Sequence, residues 1–291
     1  MSAHPTFESA LVSTEWVAAQ LDAPDLRVLD CTTHLVPEPN HVYRAESGYA
    51  DWQSGHVPGA AHIDLQGELS DASAPYRFML PSAQAFARVM GEKGVGPDAR
   101  VVLYSTTTPQ WATRIWWMLR AFGFDNAMVM DGGFKKWAAE GRPISTAPPS
   151  YREATFEAAF KPGVFVDRSA VLAALDDTGC AVLNALSATQ HDGTDARHYG
   201  RPGRIAGSMN VPANDLLDPT LGTYLPEAKL RALFTENGMF DKPAVVHYCG
   251  GGIAASSTAF ILTLLGHRNV SVYDASLSEW ASDPDLPMET G

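Results

Sequence analysis

The sequence has few cysteines. Three cysteines in 291 residues do not form a disulfide framework, and the absence of CxxC pairs disfavours a zinc site. The nine histidines show no metal-ligand spacing either. We therefore expect no metal, no other cofactor, and a reducing compartment, most simply the cytoplasm.

Positive charge is also scarce. Lys and Arg total 21 against 33 Asp and Glu, which gives a formal net charge of −12. Nucleic-acid phosphates and anionic membrane surfaces require a basic face, so neither is an expected partner. No apolar run reaches the roughly 18 residues that a spanning helix needs. Residues 1–16 also lack the basic and apolar stretches of a signal peptide.

The chain contains the same series of segments twice. The length predicts about two domains at roughly 150 residues each. The matching pairs are residues 12–21 with 166–175, 28–30 with 182–184, 55–60 with 203–208, 101–105 with 245–249, and 130–137 with 273–280. The order is the same in both series and the offset shrinks slowly, as expected for a duplicated domain with a few deletions in the second copy.

Within each copy, short apolar runs alternate with helical segments. This alternation predicts an α/β fold in which each domain is a parallel sheet flanked by helices. A linker with three prolines, residues 141–150, follows the first copy. We place the two domains at residues 1–145 and 160–291.

The most informative local sequence is HYCGGGIAAS, residues 247–256. An apolar strand runs into Cys249, three glycines follow, and a helix then begins. Ligands bind at the carboxyl ends of parallel strands, and glycines let successive backbone N–H groups turn towards an anion. The helix N-terminus adds positive potential, which favours a thiolate. The pattern predicts a nucleophilic cysteine among amides; the alternative is a buried, inert cysteine before a turn.

The repeated motifs resemble the two-domain rhodaneses, the thiosulfate and 3-mercaptopyruvate sulfurtransferases. GHVPGA at residues 55–60 resembles the family's GHIPGA signature, and CGGGIAA at residues 249–255 is similar to its CGSGVTA and CRKGVTA loops. The resemblance covers nearly the whole chain and implies two tandem rhodanese-like domains. It further implies that the first domain is catalytically silent, since Ser105 stands at its cysteine position.

The resemblance implies a double displacement. The Cys249 thiolate takes the outer sulfur of a small-molecule donor as a persulfide, and a thiophilic acceptor, cyanide or a thiol, then removes it. A thiol reductant such as thioredoxin is a further partner that this chemistry allows. The backbone of the loop is implied to bind the substrate through Gly250, Gly251, Gly252, Ile253, Ala254 and Ala255.

The loop departs from both family patterns. The serine of the mercaptopyruvate enzymes falls at Gly251, and the arginine and lysine of the thiosulfate enzymes fall at Gly250 and Gly251. An anionic donor then needs another cation: Arg201 best matches the family's E-P-R-P-G, and Arg197 is the alternative. Since Gly251 supplies no proton and Phe78 replaces a family histidine, we expect thiosulfate to be preferred over 3-mercaptopyruvate.

Two other functions compete with sulfur transfer. A cysteine-dependent phosphatase of the same fold needs C-x5-R, but the sixth residue after Cys249 is Ala255. A non-catalytic binding module would not need the cysteine and glycines that this loop has. We interpret Cys31, Cys180 and His247 as structural, and the tryptophan-rich residues 110–117 as core or domain interface.

Overall fold

The computed structural model describes residues 4–38 and 42–291. These residues form two α/β halves, each built on a five-stranded sheet in which every paired strand is parallel. The predicted α/β fold with two parallel sheets is confirmed.

The first half has seven strands and six helices among the described residues. The strands are β1 (Leu11–Val12), β2 (Leu26–Asp30), β3 (Thr33–Val36), β4 (Arg44–Ser47), β5 (Ala61–His62), β6 (Arg100–Tyr104) and β7 (Ala127–Met130). The helices are α1 (Phe7–Ala10), α2 (Thr14–Gln20), α3 (Tyr49–Ser54), α4 (Ala83–Glu92), α5 (Gln110–Ala121) and α6 (Gly133–Ala139). The sheet order is β1-β7-β6-β2-β5, and β3 and β4 form a separate antiparallel pair.

The second half repeats this arrangement. Its strands are β8 (Phe165–Val166), β9 (Cys180–Asn184), β10 (Arg204–Ile205), β11 (Met209–Asn210), β12 (Ala244–Tyr248), β13 (Val270–Tyr273) and β14 (Met288–Glu289). Its helices are α7 (Arg168–Asp176), α8 (Ala188–His191), α9 (Glu227–Glu236), α10 (Ile253–Leu264) and α11 (Ser276–Trp280), with 3-10 turns at Ala213–Leu216 and Met239–Asp241. The sheet order is β11-β9-β12-β13-β8, and β10 pairs with β14.

The duplication predicted from the sequence is present in the hydrogen bonds as well as in the strand order. The Tyr104 hydroxyl at the end of β6 accepts from the Val57 amide at 3.3 Å. The Tyr248 hydroxyl at the end of β12 accepts from the Ile205 amide at 3.0 Å. Both amides belong to the repeated G-x-x-x-G segment, so each copy fixes this segment to its central strand in the same way.

Helices α5 and α10 pack the two halves together. Both follow the central strands of their sheets, and nearly all of their residues are buried. The Trp117 indole N–H donates to the Ser256 carbonyl at 2.9 Å, and Trp116 meets Phe260 edge to face at 4.9 Å between ring centroids. The tryptophan-rich stretch is therefore core and interface, as predicted, and one continuous hydrophobic core crosses both halves.

The segment between α6 and β8 runs along the first half without regular secondary structure beyond a single bridge at Ser145. The Ala154 amide donates to the Gly91 carbonyl at 3.0 Å, and the Ala159 amide donates to the Phe122 carbonyl at 2.9 Å. The segment that follows the predicted linker is thus attached to the first half up to about the start of the second sheet.

Candidate functional site

Cys249 lies at the carboxyl end of β12, the central strand of the second sheet, and directly before the loop that opens α10. Only 2% of the residue is exposed. It forms part of the wall of a cavity of about 1960 Å³ to which both halves contribute. A cysteine in this position is sheltered from bulk water but accessible to a small molecule in the cavity.

A short segment after β13 holds the cysteine loop in place. The Ser276 hydroxyl oxygen accepts from the amides of Cys249 and Gly252, both at 3.1 Å, and donates to the Tyr273 carbonyl at 2.8 Å. Ser276 has φ 52°, in the left-handed region that a non-glycine residue rarely adopts. The Ser278 hydroxyl donates to the Gly250 carbonyl at 2.7 Å. These bonds fix the loop backbone before any substrate arrives.

Four of the predicted loop residues line the cavity: Gly250, Gly251, Ile253 and Ala254. The amides of the two glycines donate to no other residue in the described part of the chain. Ile253 and Ala254 open α10, where the first amides of a helix have no intrahelical acceptor. Unpaired amides at a helix N-terminus stabilise negative charge, so these four residues give this part of the cavity wall a positive potential.

Gly252 and Ala255 do not line the cavity. The Gly252 amide is already used by Ser276, its φ is 77°, and a β-carbon there would lie 2.8 Å from the Asp274 carbonyl oxygen. Gly252 therefore shapes the turn, and its predicted role in substrate binding is corrected. Ala255 is fully buried in the first turn of α10, away from the cavity wall.

The assignment of Arg201 as the donor-binding cation is also corrected. Its guanidinium donates to backbone carbonyls at the end of α11 and just after it, and the side chain does not line the cavity. The four acceptors are the carbonyls of Ala281, Leu286, Trp280 and Asp283, at 3.3, 3.0, 3.1 and 2.5 Å. With its donors used in this way, Arg201 holds the chain after α11 and has no free face for an anion.

The alternative, Arg197, does line the cavity, as does Arg77. Its side chain is 55% exposed, pairs with the Asp195 carboxylate at 3.1 Å, and donates to the Tyr43 hydroxyl at 3.1 Å. Arg197 lines the cavity together with Cys249. The sequence left open which arginine had this position, because gaps in the motif allow both alignments.

Tyr199 is a cavity residue that the sequence analysis missed. A β-carbon on Gly250 would lie 2.0 Å from Tyr199 Cζ and 2.2 Å from its hydroxyl oxygen. The phenol thus occupies the space that a side chain at position 250 would need, which explains the glycine there. Burial and the negative charge of the neighbouring Cys249 thiolate raise the pKa of Tyr199 above its usual range. In the sequence, the position of Tyr199 two residues after Arg197 was the one indication that it could lie near the cavity.

Phe78 forms an apolar wall opposite Gly251. A β-carbon on Gly251 would lie 3.7 Å from the Phe78 ring, and the ring packs edge to face on Trp111 at 5.6 Å. Phe78 is buried and has φ 64°, a conformation that is rare for a large residue. The ring gives this side of the loop a hydrocarbon surface without an ionisable group.

In the first half, side-chain oxygens already accept from amides of the equivalent loop. Ser105 follows β6 as Cys249 follows β12, and its hydroxyl oxygen accepts from the Thr107 amide at 3.2 Å. The Thr106 amide donates to the Thr32 hydroxyl at 2.9 Å. Side-chain oxygens therefore already accept from these two amides, at the place where an anion would bind in the second half.

The other cysteines and His247 lie outside the cavity wall. Cys31 is buried, and burial raises the pKa of its thiol well above the usual range. Burial also raises the pKa of Cys180. His247 is fully buried in β12, where burial lowers its pKa to about 3. In the described residues, no group of three His, Cys, Asp or Glu side chains could hold a metal, and no helix is long and apolar enough to cross a membrane.

A family model for the rhodanese-like domain matches residues 13–140 and 176–283. The chain is 31% identical to the 3-mercaptopyruvate sulfurtransferase of Escherichia coli over 96% of this chain and 97% of that one. It is 34% identical to the 3-mercaptopyruvate sulfurtransferase of Mus musculus, over 96% and 94%. It is 32% identical to the thiosulfate sulfurtransferase of Rattus norvegicus, over 95% and 93%.

The fold is similar to a solved structure of the same class. The crystal structure of SseA from Escherichia coli, a 3-mercaptopyruvate sulfotransferase with the rhodanese fold, matches with a TM-score of 0.81 and 29% identity. The match covers 94% of this chain and 100% of that one.

Proposed function

Since this chain belongs to the rhodanese family of sulfurtransferases, we propose that it transfers a sulfane sulfur through a persulfide on Cys249. The observation that supports the proposal most directly is the placement of this cysteine among unpaired amides at the start of α10, on the wall of a cavity. The matching loop of the first half has no thiol, and its Thr106 and Thr107 amides already donate to side-chain oxygens.

The first half-reaction forms the persulfide. The Cys249 thiolate attacks the outer sulfur of the donor, a new S–S bond forms, and the donor's own bond to that sulfur breaks. With thiosulfate the leaving group is sulfite, which departs as an anion and needs no proton from the protein. The amides of Gly250, Gly251, Ile253 and Ala254 face the negative charge that the outer sulfur keeps, which lowers the energy of the persulfide.

Donor binding needs a cation because thiosulfate and 3-mercaptopyruvate are both anionic. We assign this role to Arg197, whose guanidinium lines the cavity on a half-exposed side chain. A guanidinium offers two parallel N–H donors to a carboxylate or a sulfonate-like group. We propose thiosulfate as the preferred donor and 3-mercaptopyruvate as the alternative.

In the second half-reaction a thiophile attacks the outer sulfur and restores the thiolate. Cyanide and small thiols have this chemistry, and we extend the proposal to a dithiol reductant such as thioredoxin, because a protein thiolate attacks the same atom. We further propose a cytoplasmic location, where a reducing environment keeps the Cys249 thiol available.

Intact-mass measurement after incubation with thiosulfate tests the proposal. The protein is expected to gain the mass of one sulfur atom, to lose it when cyanide is added, and to show the modification on Cys249 by peptide mapping. No gain of sulfur from either thiosulfate or 3-mercaptopyruvate would refute sulfur transfer. Release of phosphate from an aryl phosphate, with no gain of sulfur, would favour the phosphatase alternative instead.

A further inference from the structure

The Tyr199 hydroxyl lies beside the nucleophile and has no partner. The phenol fills the side-chain space of Gly250, the residue directly after Cys249, and the residue lines the cavity. Its hydroxyl makes no hydrogen bond with any residue that the structure describes. The phenol is half-buried and lies next to a reactive sulfur. Because its hydroxyl proton has no acceptor among the described residues, it can be donated to a substrate.

Other hydroxyls around the loop are already used. Ser278 donates its proton to the Gly250 carbonyl at 2.7 Å, and Ser276 donates to the Tyr273 carbonyl at 2.8 Å. Gly251 and Phe78, on the far side of the loop, have no proton to give. Unlike Ser276 and Ser278, Tyr199 therefore keeps a hydroxyl proton beside the Cys249 loop that no residue described by the structure accepts.

A donor whose sulfur is bound to carbon needs such a proton. When the C–S bond of 3-mercaptopyruvate breaks, its electron pair remains on the methylene carbon as the enolate of pyruvate. Sulfite from thiosulfate is stable as an anion, whereas this enolate has to be protonated before pyruvate can leave. The two donors thus differ in their need for an acid at the same site.

On the basis of the proposed function, we propose that Tyr199 is the proton donor for carbon-bound sulfur donors of the 3-mercaptopyruvate class. The Cys249 thiolate attacks the thiol sulfur of the donor, the S–S bond forms, and the C–S bond breaks. Tyr199 gives its proton to the methylene carbon, which yields pyruvate. The tyrosinate then recovers the proton that the donor thiol brought into the persulfide. The products are pyruvate and a persulfide anion on Cys249, so no outside proton or reductant is consumed.

The surroundings of Tyr199 suit this role. Burial and the Cys249 charge raise the pKa of the phenol, which keeps it protonated at neutral pH. The Arg197 charge also acts on Tyr199, so the tyrosine lies near both the nucleophile and the proposed anchor of the donor's carboxylate. A keto acid held at Arg197 with its sulfur at Cys249 would bring the bond that breaks close to the phenol.

Steady-state kinetics of Tyr199→Phe with both donors test this inference. General acid catalysis contributes about 10²- to 10⁴-fold, so we expect kcat/KM for 3-mercaptopyruvate to fall by about 100-fold or more. With thiosulfate the variant should stay within about threefold of the wild type, because no proton is needed. Tyr76→Phe is the matched control: it removes another phenol hydroxyl from the same cavity wall, and both activities should be unchanged.

The two proposals fail in different ways. If Tyr199→Phe uses 3-mercaptopyruvate as fast as the wild type, or loses both donors equally, Tyr199 is not a donor-specific acid. The same conclusion follows if the wild type forms the persulfide from thiosulfate but does not use 3-mercaptopyruvate. Sulfur transfer itself fails only if the wild type forms no persulfide on Cys249 from either donor.

Discussion

Arg114 of the first half and Asp274 of the second form a buried ion pair directly behind the Cys249 loop. The guanidinium Nη2 lies 2.6 Å from the carboxylate Oδ1, and Arg114 is fully buried. The same nitrogen donates to the Phe78 carbonyl at 2.5 Å. A β-carbon on Gly252 would lie 2.9 Å from Arg114 Nη1. The first half thus supports the Cys249 loop of the second.

Loss of this arginine should destabilise the protein strongly. Arg114→Met removes the charge that compensates buried Asp274, and breaking a buried pair in this way costs about 3–5 kcal/mol. Urea unfolding measures the change. Arg114→Met combined with Asp274→Asn should recover part of the loss. Arg88→Met breaks an exposed pair, with side chains 62% and 44% exposed, and should change stability by no more than about 1 kcal/mol. If Arg114→Met and Arg88→Met lowered the free energy of unfolding equally, the structural role of Arg114 would be contradicted.

Replacement of the nucleophile should abolish sulfur transfer without unfolding the protein. Cys249→Ser substitutes one buried atom and leaves the loop hydrogen bonds, which are made by the backbone and by Ser276. Because an alkoxide cannot hold a persulfide, we expect neither donor use nor a gain of sulfur mass. Cys31→Ser and Cys180→Ser are the controls and should retain activity. An active Cys249→Ser variant together with an inactive Cys31→Ser variant would assign the chemistry to the other cysteine.

Ser105 at the equivalent position should have no part in the reaction. Its hydroxyl contacts Thr107 within its own loop, so we expect Ser105→Ala to change kcat/KM by less than about twofold. Ser105→Cys in a Cys249→Ser background tests the loop more strictly. The amides there are met by threonine and serine oxygens, and this variant should remain inactive. Activity in it would show that the first half needs only a thiol.

The sequence predicted what is local in the chain. Strand, cysteine, glycines and helix follow one another between residues 243 and 265, so the position of Cys249 could be inferred from backbone rules alone. Tyr199 and Arg114 reach the same loop from distant segments, and their contacts depend on how the two halves pack. Motif matching favours Arg201 over Arg197. A motif does not show that backbone carbonyls already accept from the Arg201 guanidinium.

The two arginines should give opposite results when they are replaced. Arg197→Ala removes a cation from the cavity wall, so KM for anionic donors should rise by about 5- to 150-fold, from a loss of about 1–3 kcal/mol. Its thermal stability should hardly change, because the side chain is 55% exposed. Arg201→Ala should lower stability by about 2 kcal/mol or more, since four carbonyls lose their donor, with KM little affected. Kinetics and thermal unfolding of both variants decide between them, and a rise in KM confined to Arg201→Ala would reverse the assignment.

His247 should make the protein sensitive to mild acid. Its Nδ1 lies 2.8 Å from the Thr258 hydroxyl, which itself donates to the Ala255 carbonyl at 3.0 Å. The hydroxyl therefore accepts from Nδ1–H, and Nε2 is left as a buried acceptor with no partner among the described residues. Protonation of Nε2 would create a buried cation, and burial accordingly lowers the pKa of His247 from 6.5 to about 3, with His267 adding to the effect.

The sign of the pH dependence follows from this shift. Below pH 6.5 the unfolded chain binds a proton at His247 that the native state does not, so stability falls as the pH drops towards 3. The slope from this group is at most about 1.4 kcal/mol per pH unit. His247→Asn keeps an N–H donor for Thr258 and cannot titrate, so its stability should depend less steeply on pH between about 6.5 and 4.5. Urea unfolding across this range, with exposed His198→Asn as the control, measures the slope. If His247→Asn has the same slope as the wild type, the acid sensitivity arises elsewhere.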